Sequence, residues 1–210
     1  AVLTLASTLD DAPDSVAIYG ALGRVWLEMA ETRTDRPDAL PRALEALERA
    51  ASAAGATSDT KTRYGRALLR DGQTEAAERV LQQATERYPI EPEALLLYAR
   101  VAEAQRHDDA ARSALIAYSA LAGEDAEFVD RAVRIGALSL QLNDPITAAA
   151  WFSRATAAAP SSPAAWRGLA DAEWRSGNEP AARSALTQAL TLGPPDAQTQ
   201  ALQRRLAGRP

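Results

Sequence analysis

The chain has 210 residues, with 23 basic side chains against 28 acidic ones and a formal net charge of -5. That balance excludes a general phosphate-binding surface, because non-specific nucleic-acid affinity comes from Lys and Arg neutralising phosphates; with no cysteine and one histidine, disulfide frameworks, thiolate zinc sites, cysteine nucleophiles and histidine-rich metal sites are excluded as well. The 47% hydrophobic share contains 49 alanines and only 11 aromatic residues, so a core must be built from backbones that approach closely, which favours packed helices over sheets.

Residues 1–15 begin with Ala rather than Met and lack the positive flank of a secretory signal. Ala1, Leu5, Thr8 and Pro13 follow steps of 4, 3 and 5, which read as the second helix of a truncated repeat, with more repeats expected N-terminally in a longer parent protein. Residues 16–57 form a first full unit around Gly23, Ala43, Leu47 and Ala50, lengthened by about eight residues that include Glu31-Thr32-Arg33-Thr34-Asp35-Arg36-Pro37. Residues 58–91 carry Gly65, Ala77, Leu81, Ala84 and Pro89, at steps of 12, 4, 3 and 5. Residues 92–128 repeat this 34 positions on with Ala99, Ala111, Leu115 and Tyr118, without the closing proline and with about three extra residues near Gly123-Glu124-Asp125. Residues 129–162 return to Gly136, Ala148, Phe152, Ala155 and Pro160, and residues 163–195 to Ala170, Ala182, Leu186, Ala189 and Pro194. Residues 196–210 place Leu202 and Leu206 on one side of a last, capping helix with Gln198, Gln203, Arg204 and Arg205 elsewhere.

Each unit reads as two antiparallel helices. In the 58–91 unit Gly72 suits the left-handed conformation just past a helix end, Thr74 is placed to cap the next helix, and Pro89 ends it. Asp144-Pro145 and Asn178-Glu179-Pro180 repeat the pattern of a capping side chain before a first-turn proline, and Gly177 repeats Gly72. Gly65 and Ala77 are expected to face each other where the helices cross, so that a larger residue would force them apart at a cost of roughly 1–3 kcal/mol. Units of this kind bury their faces only against their neighbours, so stability runs along a stack.

These units resemble tetratricopeptide repeats, the fullest match being Trp166, Leu169-Ala170, Gly177, Ala182, Leu186, Ala189 and Pro194. The resemblance implies an all-α, right-handed solenoid whose first helices line a concave groove, and a non-catalytic scaffold that binds an extended peptide or a partner helix. Carried onto this chain, it implies groove positions at Arg24, Arg63, Arg66, Leu69, Arg70, Leu97, Arg100, Arg134, Leu140 and Trp174. Arg24, Arg66 and Arg100 share one place in successive units and form an expected ladder for a carboxylate-bearing, acidic partner. The plainer alternative pairs these arginines with Asp59, Glu93, Glu103 or Asp130, and packs Trp174 against the last helix. The Lys, Asn and Arg combination of chaperone-binding family members is absent.

No catalytic residue, metal or cofactor is expected. His107 lies beside Asp108 and Asp109 without a nucleophile motif or phosphate loop, and Glu124-Asp125-Glu127 lacks the spacing and glycine of a calcium loop. No apolar run reaches the roughly 18 residues of a membrane span, so no direct membrane insertion is expected. The 22 arginines against the single Lys61 read as the codon bias of a GC-rich bacterial genome, with cytoplasm and periplasm both open. Two rival functions are a regulatory or targeting arm of a larger protein and an RNA-binding helical repeat. The 34-residue period and the acidic balance disfavour the second.

Overall fold

The computed structural model describes residues 12, 15–33 and 35–208. Among them are α1 (Val16–Thr32), α2 (Ala39–Ser52), α3 (Ser58–Arg70), α4 (Thr74–Thr85), α5 (Pro92–Ala104), α6 (Asp108–Ala122), α7 (Phe128–Gln141), α8 (Pro145–Ala158), α9 (Pro163–Arg175), α10 (Glu179–Thr191) and α11 (Ala197–Ala207), with no strand among the described residues. The half-repeat expected over residues 1–15 lies, apart from Ala12 and Ser15, outside the described residues. Two compact units divide the chain, one up to Gln105 and one from Arg106.

In the first unit α1 pairs with α2, and α3 with α4, each pair antiparallel. The register is visible in the contacts: Tyr19 accepts from Arg49 at 2.7 Å, Ser58 donates to the Ala84 carbonyl at 2.8 Å, and Lys61 donates to Gln83 at 2.8 Å. The pairs nest because a glycine on the first helix receives a large side chain from the second. A Cβ on Gly23 would stand 2.5 Å from Leu47 Cγ, and one on Gly65 2.5 Å from Leu81 Cγ. The sequence reading set Gly65 against Ala77; the side chain that stands nearest to a Cβ there is that of Leu81. Ala77 lies one turn away, clustered with Leu68 and Val101.

Consecutive pairs are joined by polar stitches as well as apolar burial. Ser58 Oγ, besides its bond to Ala84, accepts from the Glu91 N–H at 2.9 Å, which fixes the entry to α5. Lys61, the one lysine, is buried; its Nζ donates to the Ala51 carbonyl in the last turn of α2 at 3.0 Å. A cation at a helix C-terminus complements the exposed carbonyls there. Burial, with Arg87 nearby, nevertheless holds its pKa below the ordinary lysine value.

The extra segment after α1 folds back on its own unit. Arg36 donates to Asp38 at 3.2 Å, and the guanidiniums of Arg36 and Arg42 lie over the Trp26 ring at 5.5 and 4.8 Å. That hydrogen bond from Arg36 is the chief reason that the Asp38 carboxyl stays below its usual pKa.

In the second unit α7 pairs with α8 and α9 with α10. Phe152 of α8 takes the place that Leu81 has in the first unit. Its ring is met from two sides, since a Cβ on Gly136 would lie 2.7 Å from it and one on Gly168 would collide outright. Ala170, Ala182 and Leu186 form the corresponding small-and-large cluster between α9 and α10, and Leu202 and Leu206 of α11 close it.

Four turns between consecutive helices share one backbone device. Gly72, Arg106, Asn143 and Gly177 have φ of 80°, 65°, 56° and 83°. The N–H three places beyond the helix end then reaches back into its last turn, as in Gln73 to Leu68 at 2.9 Å, Asp144 to Ser139 at 2.8 Å and Asn178 to Glu173 at 2.9 Å. Capping is less uniform than the sequence suggests. Asp144 accepts from the Thr147 N–H at 3.1 Å and Asp196 from Thr199 at 2.8 Å. Thr74 instead lies inside α4, whose N-cap Gln73 makes no side-chain bond, and Asn178 turns its amide to Glu173 at 2.8 Å.

The loop near Gly123 is anchored from beneath. Arg131, 5% exposed, donates to Ser119 Oγ at 2.9 Å, to both Asp125 oxygens at 3.3 and 3.0 Å, and to the Gly123 carbonyl at 3.2 Å. Its guanidinium also stacks 4.8 Å from the Tyr118 ring centroid. The hydrogen bond from Arg131 holds the Asp125 carboxyl below its usual range.

Candidate functional site

In the first unit the first helices α1, α3 and α5 lie in series, α3 touching both others. Between α1 and α3 is an open hollow of about 330 Å³ whose rim carries Arg24, Arg63 and Arg66 together with Glu28, Glu31, Asp59, Glu91 and Glu93. The three arginines of the expected ladder do not share one environment. Arg66 is bracketed: its Nε lies 2.9 Å from Glu31 of α1 and its Nη1 3.1 Å from Glu93 of α5. Burial works against its charge, but Glu93 and Glu31 outweigh it and raise its pKa further above the ordinary range. Arg63 pairs with Asp59 at 2.8 Å. Arg70 donates to the Ala30 carbonyl near the end of α1 at 2.7 Å. Arg24 and Arg100 are exposed, and no carboxylate among the described residues pairs with either. Leu69 and Leu97 are half-buried, packed on the cluster of Leu68, Ala77, Leu81 and Val101.

In the second unit α7, α9 and α11 follow one another in the same way. They enclose a hollow of about 340 Å³. Its floor is apolar, with Val133 and Leu140 from α7, the Phe152 ring, and Leu202 from α11. Its rim holds Arg167, Asp171, Arg175 and Arg205. Arg175 donates to Asp171 at 2.8 Å and to the Leu140 carbonyl at 3.2 Å. Arg167 pairs with Asp196 at the start of α11. Arg205 stands 4.0 Å from the second Asp171 oxygen, and its guanidinium lies over the Trp174 ring at 5.4 Å.

Of the residues singled out from sequence, Leu140 therefore opens on a hollow, whereas Trp174 packs with Leu186, Leu202 and Leu206 beneath α11. Arg134 is exposed on α7. The sequence reading did not single out Gly168, the Phe152 face or Arg205. Gly168 was a usable signal, being a second small residue in a helix that already carries Ala170.

His107 is exposed at the N-terminus of α6, and Glu124 lies 3.9 Å from Arg154. Among the described residues no three His, Cys, Asp or Glu side chains gather as a metal site, and no helix is long and apolar enough to cross a membrane.

Two family models, each described as a tetratricopeptide repeat, match residues 134–197 and 58–101, together about half of the chain. No curated protein matches it. Among solved structures, YrrB, described as a TPR protein with an unusual peptide-binding site, aligns with a TM-score of 0.68 at 13% identity, over 97% of this chain and 100% of its own. The MamA protein aligns with a TM-score of 0.60 at 16% identity, over 82% of this chain and 92% of its own. MamA from Desulfovibrio magneticus RS-1, from position 41 to its end, gives 0.57 at 17% identity, over 81% and 94%. At such identities the likeness is one of fold: helix pairs packed in series, as in an α-solenoid of this repeat type.

Proposed function

We propose, from the fact that the chain belongs to the tetratricopeptide repeat family, that it is a protein–protein interaction scaffold which takes an extended, acidic peptide or partner helix on the open face of its first helices. The observation that carries this reading is the pairing pattern of that face. Arg63 and Arg66 are already neutralised by carboxylates of their own unit and serve as stitches between helices. Arg24 and Arg100, with no such partner, are the guanidiniums left to meet a ligand's carboxylates.

Charge does not suffice. Exposed ion pairs contribute roughly 0.2–1 kcal/mol each, and a micromolar complex needs about 8 kcal/mol. Apolar contact must supply the rest, and in the first unit the half-buried Leu69 and Leu97 are the candidates for it.

The test is selection of random peptides displayed against the full chain, followed by titration of the selected ones. Enrichment of acidic peptides is expected, with at least about tenfold weaker binding in the triple variant Arg24→Glu, Arg100→Glu, Arg205→Glu. Arg79→Glu on the exposed side of α4 should leave binding unchanged. No enrichment, or binding indifferent to the triple variant, overturns the reading.

A further inference from the structure

The hollow of the second unit is open for a specific reason. Each of the three helices around it presents a small residue: Ala137 from α7, Ala164 and Gly168 from α9, and Ala201 from α11. Gly168 admits no side chain, because its Cβ would strike the Phe152 ring. The ring thus serves both as core packing for α8 and as the base of the hollow. A volume of about 340 Å³ stands at the small end of the roughly 300–1,000 Å³ of ligand pockets. It has room for one or two side chains rather than a cofactor.

Above the apolar floor the rim carries three guanidiniums and one carboxylate. Arg167 is held by Asp196, and Arg175 by Asp171. Arg205 is the least committed, with its nearest carboxylate oxygen at 4.0 Å. A bound carboxylate can therefore approach Arg205 without displacing a close ion pair. Aliphatic or aromatic bulk fits the floor, and negative charge fits the rim directly beside it.

We infer that this hollow is the anchoring subsite of the scaffold, and that it takes a large apolar side chain of a peptide partner whose neighbouring residue is Asp or Glu. The inference rests on the peptide-binding reading above and adds where the anchor sits and which residue pair it selects. On this account α11 is more than an end cap, because it supplies the third wall through Ala201 and Leu202 and the least committed cation through Arg205. A peptide held there has its apolar side chain against Leu140 and Phe152 and its carboxylate at Arg205.

The experiment uses peptides selected by display on the full chain, titrated by fluorescence anisotropy against variants of it. Ala137→Leu and Ala201→Leu fill the hollow from partly or fully exposed positions, and unchanged thermal melting will show that they fold. Selected peptides should share a large apolar residue beside Asp or Glu. Each filling variant should weaken them at least tenfold, and so should replacing that apolar residue by Ala. Arg205→Glu should remove the preference for the acidic neighbour. If Ala137→Leu and Ala201→Leu bind normally while Arg24→Glu with Arg100→Glu does not, the subsite is overturned and the scaffold reading stands. If none of these variants alters binding, or no peptide is selected, both are overturned.

Discussion

Phe152→Ala destabilises the second unit by about 3–5 kcal/mol, the cost of removing a buried aromatic ring whose surroundings collapse only partly. The collapse is poor here because the ring fills the space between Gly136 of its own pair and Gly168 of the next. Both are backbone positions on helices held apart by other contacts, so neither can move in without dragging α7 or α9. For a unit of about this size the midpoint of thermal unfolding falls on the order of 15 °C. The partner substitution separates packing from helix propensity. Gly136→Ala gains roughly 1 kcal/mol of propensity but forces a Cβ to 2.7 Å from the ring, an overpacking of roughly 1–3 kcal/mol. In a Phe152→Ala background that collision is removed, and Gly136→Ala becomes neutral or stabilising. A double-mutant cycle by denaturant unfolding should therefore show coupling above about 1 kcal/mol. Strictly additive effects would contradict the nesting of small against large residues.

The second large effect belongs to Arg131. Its guanidinium is buried and each of its three nitrogens donates a hydrogen bond, to Ser119, Asp125 or the Gly123 carbonyl. Arg131→Ala leaves those acceptors short of donors and opens a hole beneath Tyr118, for a loss of about 3 kcal/mol. Arg131→Lys does not restore it, because an ammonium cannot reproduce the planar fork that reaches three acceptors. Two readouts check this. Calorimetry should show the loss of stability, and NMR titration should show the Asp125 pKa rising toward the ordinary carboxylate range, since the Arg131 hydrogen bond is the chief cause of its depression. A full-stability Arg131→Ala, or an unmoved Asp125, would show that the loop is held by something else.

Much of the fold is legible in the residues because its determinants are local and periodic. The glycine-to-leucine or glycine-to-phenylalanine spacing reports directly on how two helices cross. The left-handed turn is readable at Gly72 and Gly177, where glycine marks it. Asn143 fills the same backbone position with the residue that, after glycine, most often adopts it, whereas at Arg106 only the period marks the turn. At Gly65, likewise, spacing alone does not say that the side chain filling the space left by the glycine is that of Leu81.

The candidate site was legible by position and only in part by environment: the pairs Arg63–Asp59 and Arg66–Glu93 and the packing of Trp174 against the last helix were readable alternatives. Arg24, Arg66 and Arg100 are equivalent in the period. Yet Arg66 alone is flanked by Glu31 and Glu93, from helices on either side, and becomes a structural stitch. Glu31 lies 35 residues away, beside the inserted segment, so no spacing rule foretells the pair. The hollow of the second unit depends on what Gly168 lacks and on a final helix read only as a cap. A missing side chain on one helix acquires meaning once the ring behind it is known.

The most direct test of the central claim, that partners bind on the open face of the first helices, is an NMR footprint of a display-selected peptide on the isotope-labelled chain. The account predicts amide shift changes on α1, α3, α5, α7 or α9 and on α11, centred on Leu140, Gly168 and Ala201. Changes confined to α2, α4, α8 and α10, or to the segment around Arg36, would contradict it.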